Sequence, residues 1–127
     1  MTKAQMYRRY SYLPFKFRGC AGQKWHQIKA NALAILRRNF PDAKFRVYKY
    51  DGDAMEVMFD GPQSKAEVYT ALCPFETVHH SSAGYSWEEW SPWNFRYGGI
   101  GYVFVKKRGE DLTYYVLDRH GKAKNCG

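Results

Sequence analysis

Residues 44–62 read KFRVYKYDGDAMEVMFDGP, with a stretch of β-forming residues on either side of Asp51-Gly52-Asp53. An aspartate-glycine pair between two such stretches is typical of a tight hairpin turn, because glycine adopts a left-handed backbone at little cost. Asp60-Gly61-Pro62 then ends the second strand, since proline has no N–H to donate to a ladder. The stretch therefore predicts a β-hairpin whose first strand covers about residues 44–50.

Side chains alternate between two faces along a strand, so the hairpin is predicted to have one buried and one outer face. Phe45 and Val47 of the first strand share the buried face with the apolar residues of the second strand. The outer face is predicted to carry Arg46, Tyr48, Tyr50, Glu56 and Met58. Either the N-terminal segment or the tryptophan-rich loop is expected to cover that face.

Two amphipathic helices are predicted to flank the hairpin. The first covers about residues 23–39, where apolar side chains recur at helical spacing, and Pro41 ends it. The second covers about residues 65–73 and begins at a capping box, in which Ser64 and Glu67 satisfy backbone donors reciprocally.

The remaining segments give weaker signals. Part of residues 1–21 is predicted to be an edge strand, and Ser86-Trp87-Glu88-Glu89 matches a capping box for one helical turn before Pro92. Residues 100–107 and 112–117 are predicted to be the third and fourth strands, joined by a short turn.

These elements predict an α+β fold in the order α-β-β-α-β-β. The short connections favour a four-stranded antiparallel sheet with two helices on one face. We expect a basic aromatic N-terminal arm over residues 1–21, a single α+β domain over residues 22–118 and a flexible basic tail over residues 119–127.

The net charge of +8 is distributed very unevenly along the chain. Residues 1–50 carry +11, residues 51–95 carry −7 and residues 96–127 carry +4. Such blocks favour an anionic partner for the N-terminal end of the chain. They are equally compatible with mutual neutralisation in the folded protein, and the sequence leaves both interpretations open.

A family resemblance follows from two parts of the chain. Residues 39–47 (NFPDAKFRV) lead into a hairpin that ends at residues 59–62 (FDGP), and residues 97–103 (YGGIGYV) lead into the basic residues 106–108. This combination, spread over about residues 24–118, resembles the large polyvalent protein-associated domain number twenty-nine of phages and mobile elements. The resemblance implies an origin in such an element, acting inside a bacterial host cell, and it brings no catalytic residues with it.

Basic and aromatic side chains alternate near the N-terminus, a composition suited to nucleic acids. Lysine and arginine neutralise phosphates, and tyrosine and phenylalanine stack on exposed bases. The candidate basic site residues are Arg8, Arg9, Lys16, Arg18, Lys24, Arg37, Arg38 and Arg46. The alternative is an ordinary edge strand beside a solvated helix face.

An aromatic loop offers a second candidate site, for a protein partner, because tryptophan and tyrosine are favoured anchors at interfaces. Its candidate residues are Tyr85, Trp87, Trp90 and Trp93. Glu88 and Glu89 would complement a basic partner. The alternative is a loop folded onto the sheet as a second small core.

We expect no enzymatic activity and no metal or other cofactor. His79 and His80 lie near Cys73 and Glu76, but without metal-ligand spacing or a nucleophile motif. The three cysteines form no C-x-x-C pair, and no apolar run is long enough to span a membrane. A cytoplasmic protein is therefore expected.

The sequence thus predicts a non-enzymatic binding protein of a phage or mobile element. Its expected role is that of an anti-defence, anti-CRISPR-like inhibitor of a host nucleic-acid-handling complex. The partner would be a host protein or nucleoprotein complex, with DNA or RNA as a further ligand of the basic arm. The alternative is an accessory nucleic-acid-binding protein of the element itself.

Overall fold

The computed structural model describes residues 1–109 and confirms the α+β class. The helices are α1 (Lys3–Arg9), α2 (Trp25–Asn39), α3 (Lys65–Leu72) and α4 (Pro92–Tyr97), with a 3-10 turn at Cys73–Phe75. The strands are β1 (Lys44–Tyr50), β2 (Ala54–Asp60), β3 (Val78–His80), β4 (Ser86–Glu88) and β5 (Tyr102–Lys107). Over residues 1–109, no helix is long and apolar enough to cross a membrane.

The predicted hairpin is confirmed. β1 and β2 pair antiparallel, from Lys44 opposite Asp60 to Tyr50 opposite Ala54. In the turn, Asp51 and Gly52 have φ angles of 55° and 80°, the left-handed region that aspartate tolerates and glycine adopts freely.

The predicted four-stranded antiparallel sheet is wrong. The larger sheet has three strands in the order β1-β2-β5, and β5 runs parallel to β2. A parallel neighbour requires a crossover, and α3 with the segment that follows it returns the chain to the end of the sheet where β2 began. The predicted fourth strand, residues 112–117, lies outside the described residues.

A second, two-stranded sheet replaces the helical turn predicted at residues 86–89. β4 pairs antiparallel with β3, so this capping-box pattern does not start a helix. Pro92 was expected to end that turn, but it begins α4, because proline fits the first helical position where no N–H is needed. The cap of α4 is Ser91, whose hydroxyl accepts a hydrogen bond from the backbone N–H of Asn94.

The predicted N-terminal edge strand is also wrong, since this segment forms α1. The helix begins at Thr2, whose side chain accepts a hydrogen bond from the N–H of Gln5. Met6, Leu13 and Phe17 are buried in the main core, so residues 1–17 pack onto the domain.

One core joins the helices to the inner face of the larger sheet. α2 contacts β1, α3 contacts β5 and the two helices contact each other, so these two of the four described helices pack against the larger sheet. The core side chains of these elements are Ile28, Ala32, Ile35, Leu36, Val47, Met55, Val57, Phe59, Val68, Leu72 and Val103.

Candidate functional site

A groove of about 550 Å³ opens between the end of α1, the second half of α2 and α3. Two of the predicted basic residues, Arg9 and Arg38, line it together with Tyr10 and Tyr12. We call this site the arginine–tyrosine groove. The rest of its wall is contributed by Ile35, Asn39, Phe40, Ala66, Glu67, Thr70, Ala71 and Pro74.

Local hydrogen bonds fix the turn that presents the two tyrosines. Arg9 is the last residue of α1, and the N–H of Leu13 donates to the carbonyl oxygen of Tyr10 at 3.1 Å. The ammonium group of Lys16 donates to the carbonyl oxygens of Ser11 and Leu13, at 2.8 and 2.6 Å. Lys16 therefore stabilises this turn.

The groove arranges its cations and rings in consecutive contacts. The guanidinium of Arg38 lies 4.3 Å from the ring centroid of Tyr12, and that of Arg9 lies 5.6 Å from the centroid of Tyr10. The two tyrosine rings are stacked, with centroids 6.5 Å apart. A guanidinium over an aromatic ring is attracted by the ring, and its N–H donors remain suited to phosphate.

Tyr10 connects the groove to the core, since its ring meets those of Trp93 and Tyr97, both at 5.5 Å.

Burial raises the pKa of the Tyr12 hydroxyl, and the neighbouring Tyr10 raises it further, whereas the guanidiniums of Arg38 and Arg9 lower it. Tyr12 is therefore a neutral hydrogen-bond donor at physiological pH.

The basic residues of positions 1–50 form no ion pairs with the other residues that the structure describes. Within residues 1–109, none of the lysines and arginines of positions 1–50 lies within 4.0 Å of a carboxylate. Glu67 also lines the groove, where its Oε1 accepts the N–H of Ser64 at 3.0 Å, and it forms no ion pair with Arg9 or Arg38. This arrangement argues against direct neutralisation as the reason for the charge blocks.

The other predicted basic residues lie apart from the groove. Arg8, Arg18, Lys24 and Arg37 are exposed, and the length of α2 separates Lys24 from Arg37 by roughly 20 Å. Arg46 lies on the outer face of β1, with the sheet between it and α2. The eight predicted residues therefore do not form one continuous surface, and only Arg9 and Arg38 meet in the groove.

The aromatic loop is divided between core and surface. Trp93 is only 8% exposed and packs edge-on against Phe75 at 4.7 Å, while Trp90 is half-buried against Phe95. Tyr85 and Trp87 are 72% and 45% exposed, on the hairpin formed by β3 and β4. These two residues are the members of the loop that a partner can reach.

The described residues contain no group of three or more histidine, cysteine, aspartate or glutamate side chains that could hold a metal ion. Burial, with a contribution from Glu76, raises the pKa of the Cys73 thiol. A raised thiol pKa is the opposite of what an activated nucleophile needs.

The tyrosines of the groove were not among the predicted site residues. Their signal was present in residues 7–12 (YRRYSY), where three tyrosines lie beside two arginines. Which of these rings would meet an arginine of α2 depended on the turn after α1, a tertiary feature.

We compared the chain with family models, curated proteins and solved structures, and none of them matches. The resemblance to the large polyvalent protein-associated domain number twenty-nine therefore stays a prediction.

Proposed function

We propose that this is a non-enzymatic binding protein whose arginine–tyrosine groove holds the phosphate backbone of a nucleic acid. One observation carries the proposal: Arg9 and Arg38 lie over tyrosine rings in one groove and have no carboxylate partner within residues 1–109. Arginine held in this way is a frequent phosphate ligand, because its donors are already oriented.

The charge of the chain supports a polyanion rather than a small anion. Glu110, Asp111 and Asp118 balance Arg119, Lys122 and Lys124, so the whole net charge of +8 comes from residues 1–109. The positive electrostatic field attracts phosphates at distances beyond the groove and raises the association rate of a nucleic acid.

The test compares two double variants with the same loss of charge. In Arg9→Gln/Arg38→Gln both groove arginines are replaced, whereas Arg8→Gln/Arg37→Gln replaces their exposed neighbours in the sequence. Nucleic-acid affinity is measured against salt concentration by fluorescence anisotropy.

The groove variant should lower the slope of log affinity against log salt by about 2, roughly one for each lost phosphate contact. The neighbour variant should lower it by clearly less. Equal slopes for the two variants would assign binding to the overall charge and remove the groove from the proposal.

A second function, protein binding, is favoured by the hairpin of β3 and β4. Tyr85 and Trp87 are exposed there beside the carboxylates of Glu88 and Glu89. The family resemblance implies an origin in a phage or mobile element. In a protein of that origin, this surface would bind and inhibit a host nucleic-acid-handling complex. Such a partner would present a basic surface to the two carboxylates.

The two functions differ in their response to nuclease and salt. Capture of one defined host complex that survives nuclease and is lost in Tyr85→Ala/Trp87→Ala would support the inhibitor. Nucleic-acid binding that this variant retains and that falls steeply with salt would support the groove instead.

A further inference from the structure

The outer face of the three-stranded sheet carries a regular array of side chains. The register of the strands places them in rows: Arg46, Met58 and Lys106; then Tyr48, Glu56 and Phe104; then Tyr50, Ala54 and Tyr102. α2 and α3 cover the opposite, inner face, so the helical layer separates this array from the arginine–tyrosine groove.

We propose that this outer face binds the unpaired bases of a single-stranded nucleic acid. The inference rests on the nucleic-acid binding proposed above and adds the class of ligand, a single strand rather than a duplex.

Aromatic rings occupy one half of the face and remain accessible. Tyr48, Tyr50 and Phe104 are 41%, 52% and 45% exposed. The ring of Phe104 meets that of Tyr50 at 6.1 Å and is stacked with that of Tyr102 at 6.0 Å. Tyr50 and Phe104 belong to the two outer strands, and their rings meet diagonally across β2, since Tyr50 is opposite Ala54 and Phe104 is opposite Glu56.

Cations occupy the other half. Lys44 and Arg46 of β1 face Lys106 and Arg108 across β2. The carboxylates of β2 are engaged, since Glu56 pairs with Lys106 at 3.2 Å and Asp60 with Arg108 at 3.8 Å. Within residues 1–109, Lys44 and Arg46 have no carboxylate within 4.0 Å, so they add positive charge to this half of the face.

The two halves suit two parts of one ligand. Bases of a single strand expose their flat faces and stack on aromatic side chains of a sheet, whereas a duplex hides those faces in its own stack. The excess of cations beside the rings complements the phosphates of the same strand. A protein partner would use the rings but would not need that excess.

The experiment uses the full chain, an oligothymidine of about 12 nucleotides, a length typical of such sites, and a duplex of the same length. Tyr50→Ala/Phe104→Ala removes the central rings. The matched control, Tyr85→Ala/Phe95→Ala, removes two exposed aromatic side chains elsewhere. Tyr50→Leu/Phe104→Leu keeps apolar bulk on the strands and serves if the alanine variant unfolds.

We expect the alanine and leucine variants to bind the oligothymidine about tenfold or more weakly, as loss of base stacking predicts, and the duplex as the wild type does. The Tyr85→Ala/Phe95→Ala control should leave both affinities unchanged. Wild-type affinity of the Tyr50 and Phe104 variants for oligothymidine would overturn the inference, even if the groove variant Arg9→Gln/Arg38→Gln loses binding.

Two further outcomes would also overturn this inference. If the wild type binds neither oligonucleotide, the proposed function fails and this inference fails with it. If the variants only convert a dimer into a monomer in sedimentation, the face is an interface between two copies of the chain and the inference is overturned.

Discussion

Asn94 shows how a single buried side chain holds several segments together. Its Nδ2 lies 2.9, 3.1 and 3.0 Å from the carbonyl oxygens of Pro74, Phe75 and Gly98, and its Oδ1 accepts the N–H of Ser91 at 2.9 Å. With only 1% of Asn94 exposed, water cannot replace these contacts. One amide thus closes α4 and joins it to the 3-10 turn.

Asn94→Ala should lower the free energy of unfolding by about 3 kcal/mol, because buried carbonyl groups lose their donor. Ser91→Ala removes only the side-chain cap of the same helix and should lower the free energy of unfolding by about 1 kcal/mol. Urea unfolding monitored by circular dichroism measures both. Equal losses in the two variants would contradict the role assigned to Asn94.

Among the helices and strands, the locally encoded ones could be predicted from the sequence. The hairpin depends on a turn of a few residues, and α3 on the capping box of Ser64 and Glu67, which the structure confirms. β5 was predicted as a strand, but its parallel partner depends on the path of the chain after α3. The box at residues 86–89 failed because pairing with β3 outweighs a local helix signal.

As with the helices and strands, only the local features of the candidate site could be predicted from the sequence. Arg9 and Arg38 were among the predicted basic residues, but nothing local shows that the turn after α1 brings them together. Trp93 was predicted to bind a partner, yet α4 turns its ring into the core against Phe75.

Asn31 of α2 anchors the N-terminal segment to the domain. Its Oδ1 accepts the N–H of Phe15 at 3.0 Å, and its Nδ2 donates to the carbonyl oxygens of Phe15 and Tyr97, each at 2.9 Å. This one helical residue therefore connects α2 with both the segment after α1 and the end of α4.

Asn31→Ala should release that segment and expose the chain to trypsin at Lys16 and Arg18. We expect cleavage there to become several-fold faster and the free energy of unfolding to fall by about 1–3 kcal/mol. Mass spectrometry of the early fragments identifies the sites. Asn39→Ala is a suitable control, since Asn39 bonds only within its own helix, to Ile35. Unchanged cleavage at Lys16 and Arg18 in Asn31→Ala would contradict the anchoring role.

At the scale of the fold, no ion pair within residues 1–109 joins a basic residue of positions 1–50 to the acidic block. Both ion pairs seen within residues 1–109 join acids of β2 to basic residues at positions 106 and 108. The N-terminal cations are left to the groove and to solvent, so the surface offers phosphate contacts on both the helical and the sheet side.

Binding of a single strand should therefore depend strongly on salt. About two phosphate contacts on the outer face, through Lys44 and Arg46, predict an affinity loss on the order of sevenfold between about 50 and 200 mM salt. Fluorescence anisotropy across that range measures it for the oligothymidine. A loss of less than about twofold would mean that phosphates contribute little.

The parallel position of β5 has a consequence for synthesis of the protein. β2 can pair with β1 as soon as the hairpin is made, but about 40 residues must follow before β5 arrives. At about 5–20 residues per second, the ribosome needs roughly 2–8 s for them. Throughout that interval the second edge of β2, with Met55, Val57 and Phe59, has no strand beside it. Of the three paired strands within residues 1–109, β5 is thus the last to emerge, and the exposed edge of β2 makes the nascent chain prone to aggregate before it does.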